Sequence, residues 1–178
     1  LLTERSFERR PVTLVSGAQS DFYLDCKQTA LHPEGAWHLG NLLLDLIERI
    51  EAQTGLKAHA AGGMTLGADP LATAVSLAAL ARGRHLPAFI VRKTAKGHGT
   101  GAWVEGRSNV PDGAQVVLVE DVLTTGGSTA RAAERVQIEG LVPIGVAAIV
   151  DRGAGGLEAL RALGLTSDAL FTRPDFDR

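Results

Sequence analysis

The sequence predicts an α/β fold: a mostly parallel, doubly wound central sheet flanked by helices, with a small N-terminal hood. Three observations predict it. Four short apolar runs, Ala58–Ala61, Ala88–Val91, Val116–Val119 and Ile144–Val150, lack polar alternation and read as strands buried on both faces. Stretches of helical periodicity alternate with them, as in a parallel sheet. The residues that follow each run carry the chemically interesting groups, and ligands of such sheets sit beyond the carboxyl ends of the strands.

The elements follow in order. Residues 11–26 hold short apolar and aromatic pieces around Ser16-Gly17, which predicts a hairpin or hood; the hood is expected to come mainly from about residues 1–32. Leu39, Leu42, Leu43, Leu46, Ile47 and Ile50 recur at i, i+3, i+4 spacing and predict a helix over 33–50. Pro33 and Glu34 suit its first turn, and Gly55 lies in the loop beyond. A second helix is predicted from Pro70 to about Arg82, with Asp69 as N-cap and Gly83 as stop. A third runs from near Ser128 to Gly140, and a fourth over about Leu157–Leu163. The C-terminal tail gives no clear pattern.

The bulk properties exclude several classes. A chain of 178 residues, 45% hydrophobic, suits one domain (1–178) with a sizeable core. The net charge of −2 argues against a general nucleic-acid surface, so any anion site must be a local cluster of cations. Cys26 is the one cysteine, which rules out an intrachain disulfide and a cysteine-based zinc site and suits a reducing, cytoplasmic setting. No apolar run approaches a membrane span, and no signal-peptide pattern opens the chain. His32, His38, His59 and His85 show no metal-ligand spacing.

The segment from Val116 to Thr129, VVLVEDVLTTGGST, is the most informative. An apolar run meets Glu120 and Asp121, and a Thr/Gly-rich loop then opens a helix. Successive N–H groups of such a loop form an anion nest, and the helix adds the positive end of its dipole. Thr124, Thr125, Ser128 and Thr129 can donate hydroxyl hydrogen bonds to a phosphate. No lysine follows Gly126 and Gly127, so this is not a Walker A loop. The acid pair would repel a phosphate but can accept from sugar hydroxyls or hold hydrated Mg²⁺. A phosphorylated ribose satisfies both halves; an ordinary capped strand–turn–helix is the bland alternative.

After Val91 comes Arg92-Lys93-Thr94-Ala95-Lys96-Gly97-His98-Gly99. The stretch from Thr94 to Asn109 contains four glycines and few apolar anchors, and long loops of this kind are usually functional. Its cations suit an anionic leaving group; a solvated basic loop is the alternative. Asp151-Arg152 ends the fourth run, and an arginine fork matches a carboxylate. A surface pair of those two residues is the alternative. GGMTLGADP, residues 62–70, suits close approach to a pyrophosphate, or simply a capped turn. Phe22 and Tyr23 can cover a flat base by stacking or form a small aromatic core. Cys26 reads as a small buried residue rather than a nucleophile.

The acid pair with TTGGST resembles the signature for phosphoribosyl pyrophosphate (PRPP) in type I phosphoribosyltransferases, which does not choose the base. The segment from Arg92 to Gly99 resembles the mobile loop of the orotate phosphoribosyltransferase family. SGAQSDFYLD resembles that family's hood motif, but Val15 stands where lysine is usual, Ala18 where arginine is common and Asp21 where proline is common. Lys27 is a candidate replacement charge. Residues 62–70 resemble a variant of the family's pyrophosphate loop.

The resemblance runs from about Pro11 to Arg152. It implies transfer of the 5-phosphoribosyl group from PRPP to orotate with Mg²⁺, in pyrimidine synthesis. It assigns PRPP binding to Arg92, Lys93, Lys96, His98, Glu120, Asp121, Val122, Leu123, Thr124, Thr125, Gly126, Gly127 and Ser128. Lys96, His98 and Asp121 carry catalysis. Orotate contacts fall to Arg152, Thr124 and Tyr23. Mg²⁺ is held mainly through PRPP and water, near Glu120 and Asp121. It also implies a homodimer whose mobile loop reaches the neighbour's site. The rivals are a phosphoribosyltransferase for a purine or another base, which Arg152 disfavours, and a non-catalytic PRPP-binding regulator, which the intact loop disfavours.

Overall fold

A computed structural model describes residues 1–13, 19–95 and 102–177. Helix α1 (Leu2–Ser6) leads into an antiparallel pair, β1 (Phe7–Thr13) and β2 (Gln19–Leu24), followed by α2 (Lys27–Ala30) and α3 (Pro33–Thr54). The alternating core is β3 (Ala60–Met64), α4 (Ala68–Ala81), β4 (Ala88–Val91), β5 (Val104–Glu105), β6 (Gln115–Leu123), α5 (Gly127–Ile138), β7 (Val142–Asp151), α6 (Gly156–Ala162) and β8 (Thr166–Thr172). The six-stranded sheet has the order β5-β4-β3-β6-β7-β8 and is parallel except where β5 meets β4. The predicted α/β fold with a parallel sheet and a hood is therefore the observed one.

Each face of the sheet has its own core. On one, Leu39, Leu43 and Ile47 of α3 and Leu71 and Val75 of α4 pack with Val117, Val119 and Ile149. On the other, Ala132 and Val136 of α5 and Leu160 of α6 pack with Val116, Leu118 and Val146. Strands β3, β6 and β7 are thus buried on both faces as expected, because helices cover both, whereas β4 buries Phe89 and Val91 and leaves Ala88 and Ile90 half-buried. A buried carboxylate braces the first layer. Glu51 of α3 pairs with Arg84, accepts the Ala58 N–H at 2.8 Å and binds Lys57 Nζ at 3.0 Å.

Several boundaries differ from the sequence reading. Helix α3 continues to Thr54 and stops at Gly55, whose φ of 70° is the left-handed cap. Helix α4 starts two residues before Pro70 because Asp69 does not cap it: its carboxylate accepts a 2.8 Å bond from Thr65 Oγ1. Strand β6 runs on through Glu120 and Asp121, since pairing with β7 continues past the apolar run to Leu123↔Asp151. The tail is not featureless. It supplies β8 and Phe176, whose ring lies 5.5 Å from Phe7 and 5.6 Å from Phe22. Phe22 is therefore part of an aromatic core rather than a cover for a ligand.

Candidate active site

Strands β3, β4, β6, β7 and β8 are in chain order the first to fifth parallel strands, and they lie 2-1-3-4-5 across the sheet. The order reverses between β3 and β6, whose following helices α4 and α5 leave on opposite faces. A crevice opens there, at the carboxyl ends. It holds a cavity of about 280 Å³. Thr65, Leu66 and Gly67 form the β3 side, Glu120, Asp121 and Ser128 the β6–α5 side, and Lys27 and Lys93 supply positive charge.

The two acids differ. Glu120 is buried, and its Oε2 accepts from Thr129 Oγ1 at 2.7 Å and Ser128 Oγ at 3.2 Å. Burial, and next the charge of Asp121, push its carboxyl up to about 7. Thr129 was expected among the phosphate donors. It is buried and spends its hydroxyl on Glu120 instead. Asp121 is half-buried, with Oδ1 accepting its neighbour Val122 N–H at 2.8 Å. A Cβ on Gly67 would lie 2.6 Å from Asp121 Oδ1, so any larger residue in the β3–α4 turn must displace this carboxylate. Gly62 and Gly63 play a different part from the one expected. Both are buried in β3, and a Cβ on either would strike a neighbouring strand, Phe89 O or Val119 O.

Behind the acids, the buried Cys26 thiol reaches the Asp121 carbonyl at 3.8 Å. Burial, and next the Asp121 charge, raise its pKa far above the thiol range, so it is the inert packing residue expected.

The loop after β6 exposes Thr124 and Thr125 and turns at Gly126, φ 78°, the residue before α5. Gly127 opens the helix with its N–H groups free of side-chain caps. Of the other residues expected to bind here, Leu123 is buried in the core and Val122 packs against the opposite core, so contact through Leu123 is limited to its backbone. Arg92 is half-buried and held beside the acid-lined cavity. It pairs with Glu105 at 2.8 Å and bonds the Thr94 carbonyl at 3.2 Å, whereas Lys93 reaches the acid-lined cavity. Lys96, His98, Val15 and Ala18 lie outside the described residues.

Arg152 follows β7. Its N–H binds the Leu123 carbonyl at 2.9 Å, and Nη2 binds the Phe22 carbonyl at 3.0 Å. The arginine thus joins the hood to the end of the sheet. Asp151 instead accepts the Gly153 N–H at 3.1 Å. Burial, and next Arg173, lower the Arg152 pKa from its ordinary value. Arg173, from the tail that the sequence left unread, lies 5.5 Å over the Phe22 ring and pairs with Asp21 at 3.3 Å. Tyr23 points away from the aromatic core and carries Arg10 3.9 Å above its ring.

Among the described residues, no cluster of three or more His, Cys, Asp or Glu could hold a metal ion. The oxygen donors at the cavity, chiefly Asp121, suit Mg²⁺ only when substrate and water complete its shell. No described helix is long and apolar enough to cross a membrane.

A 2-1-3-4-5 sheet with an acid pair near the end of one strand and a Thr/Gly turn opening the next helix is the arrangement expected of a type I phosphoribosyltransferase. A family model described as "Phosphoribosyl transferase domain" matches residues 62–161. The chain is 47% identical to the orotate phosphoribosyltransferase of Sorangium cellulosum, over 99% of this chain and 89% of the relative. The crystal structure of Mycobacterium tuberculosis orotate phosphoribosyltransferase with Fe(III) dicitrate superposes with a TM-score of 0.82 at 37% identity, covering 99% of this chain and 95% of that one. The same enzyme in complex with PRPP gives 0.80 at 35% identity, over 100% and 95% of the two chains. The chain belongs to the orotate phosphoribosyltransferase family.

Proposed function

We propose that this chain transfers the 5-phosphoribosyl group from PRPP to orotate, giving orotidine 5′-phosphate and pyrophosphate, in de novo pyrimidine synthesis. The observation that carries the reading is the cavity at the strand-order reversal. It sets Asp121 against Gly67 and Lys93, beside the N-terminus of α5. A sugar phosphate with an anionic leaving group fits each wall.

In this reading residues 1–178 form one phosphoribosyltransferase domain, with the hood drawn from about 1–32. The backbone from Thr124 to Gly127, with Ser128, grips the 5′-phosphate through N–H groups and hydroxyls. Asp121 accepts from the ribose hydroxyls and favours positive charge growing on the ribose as the glycosidic bond changes partner. Glu120 acts from beneath, its charge tuned by Thr129 and Ser128. The turn from Thr65 to Gly67 leaves room for the pyrophosphate. Lys93, Lys96 and His98 meet the leaving group, and Arg92, held by Glu105, anchors the base of that loop. Mg²⁺, held mainly by PRPP and water near Asp121, supplies further charge neutralisation when bound. Arg152, half-buried at the hood, orients the orotate carboxylate, with Thr124 and Tyr23 nearby.

The active form in this reading is a cytoplasmic homodimer whose loop, with Lys93, Lys96 and His98, serves the neighbour's site. An exposed apolar stripe supports the pairing. Leu77 and Leu80 of α4 are 59% and 64% exposed, and Leu66 just before that helix and Leu31 at the end of α2, which line one cavity with Pro70, are 66% and 72% exposed. One assay tests the function: consumption of orotate with PRPP and Mg²⁺, against adenine, hypoxanthine and xanthine. Turnover of a purine instead, or of no base at all, contradicts it.

A further inference from the structure

We infer that Lys27 binds the leaving diphosphate of PRPP from within the same subunit, standing in for the lysine that Val15 replaces in the hood motif. The inference rests on the reading of the crevice as the PRPP site.

The geometry around Lys27 is fixed. Cys26, one residue before it, is wholly buried and reaches the Asp121 carbonyl, which pins the start of α2 onto β6. The Lys27 ammonium lies 2.6 Å from Asp25, whose Oδ1 also accepts the Lys27 N–H at 3.2 Å. The side chain therefore stands at the cavity wall as a held cation rather than a free surface lysine. The bond to Asp25 first, against the opposing effect of burial, and then the charges of Asp25 and Asp121 raise its pKa and favour the charged form.

The charge balance of the cavity calls for such a group. Glu120 and Asp121 bring negative charge to one wall, and the turn from Met64 to Pro70 contains no lysine or arginine. A diphosphate entering there meets repulsion unless cations offset it. Among the described residues, Lys27 and Lys93 are the cations lining this cavity. Lys93 lies on the basic loop that the dimer reading assigns to the neighbour's site. Lys27 then remains as the cation that belongs to its own crevice.

Position separates diphosphate from orotate as the partner. Lys27 also lines the adjoining cavity of about 380 Å³ with Leu31, Leu66, Asp69 and Pro70, on the side of the β3–α4 turn. That is the wall where the pyrophosphate belongs. The orotate candidate Arg152 is tied instead to the Phe22 carbonyl in the hood.

The test uses the full chain with Lys27→Met, which keeps the apolar stem, and Lys27→Arg, which keeps the charge. Steady-state kinetics should show the PRPP KM of K27M raised about tenfold or more, as for loss of one charge-assisted contact, with the orotate KM changed less than about twofold. K27R should recover most of the loss. Calorimetry with Mg²⁺ and inorganic pyrophosphate should show a matching loss of affinity in K27M. Unchanged pyrophosphate affinity in K27M, or an orotate KM rising as far as the PRPP KM, overturns the inference whatever base the enzyme uses. Failure of the wild-type chain to consume orotate is a separate result and overturns the functional reading beneath it.

Discussion

Thr129 Oγ1 donates a 2.7 Å hydrogen bond to Glu120 Oε2, so the first turn of α5 and the end of β6 share one buried carboxylate. Burial still dominates its protonation and lifts it to about 7. A carboxyl that holds its proton more tightly in the fold than in the unfolded chain stabilises the fold below the ordinary glutamate range. That contribution is lost as pH rises through about 7. Glu120→Gln, which still accepts both hydroxyls, should therefore stabilise the protein more at about pH 8 than at about pH 5. The difference is roughly 2–3 kcal/mol, or roughly 5–10 °C in Tm. Thermal melts at the two values check it. An equal effect at both contradicts the raised pKa.

Arg152→Ala should raise the orotate KM by about 10- to 100-fold while leaving the PRPP KM near its wild-type value, because a carboxylate loses its charged partner. Arg152→Lys should recover little, since the fork also reaches the Phe22 carbonyl and a lysine offers a single point charge. Steady-state kinetics with each substrate varied in turn decide it. A loss confined to PRPP refutes the carboxylate contact.

Glu51→Ala tests the frame instead of the site. Glu51 is buried and answers Arg84, Lys57 and the Ala58 N–H together. Removing it leaves the Arg84 charge without its partner, a loss of about 3–5 kcal/mol. Burial pushes its carboxyl up, but its hydrogen bonds with Arg84, Ala58 and Lys57 together outweigh it and hold the pKa below the ordinary glutamate value. This contribution is present above that ordinary value and fades as pH falls through the lowered pKa. Chemical denaturation near neutral pH should show the full loss, and the gap to wild type should narrow in acid. A gap that widens in acid contradicts the assignment.

Sharing of sites between subunits has its own test. Lys96→Ala and Asp121→Asn should each abolish most turnover alone. If the loop acts in trans, mixed dimers of the two variants contain one intact site and should recover up to about half of wild-type activity per mixed dimer, or about a quarter in a randomly mixed population. Demonstrably mixed dimers with no recovery exclude sharing.

The parts of this protein that were legible in the sequence are those that local pattern controls. Ala88–Val91 is a strand with the bounds its apolar run suggests, because Phe89 and Val91 are buried, Ala88 and Ile90 half-buried, and no polar residue interrupts it. The sequence places Glu120 and Asp121 beyond their strand, since an apolar run ends at the first charge. The ladder to β7 does not end there, because backbone pairing is indifferent to side-chain charge. Thr129 was read as a phosphate donor. Its true partner depends on how α5 is rotated over β6, which no spacing reveals. Thr166, Ser167 and Asp168 mask the pattern of strand β8, whose place is fixed by pairing with β7. Likewise Arg173 meets Phe22 only after the tail returns to the hood.

Gly67→Ala separates the demands of the site from those of the fold. Gly67 precedes α4 with φ −59° and ψ −42°, a conformation open to alanine, so the backbone raises no objection. The obstacle is Asp121, whose Oδ1 would lie 2.6 Å from the new methyl and is already held by the Val122 N–H. The carboxylate must rotate or the turn must lift, and either change moves the groups proposed to hold ribose and diphosphate. The variant should lose less than about 2 kcal/mol of stability, because the crowding is at a half-exposed site, while kcat/KM for PRPP falls about 100-fold or more. Gly63→Ala is the contrast. Its Cβ would strike the Val119 carbonyl inside the sheet, and that variant should fail to fold. Melting temperature and kcat/KM measured on both variants give the answer. If Gly67→Ala keeps wild-type kinetics, the close approach to Asp121 is packing alone and the β3–α4 turn is not part of the PRPP site.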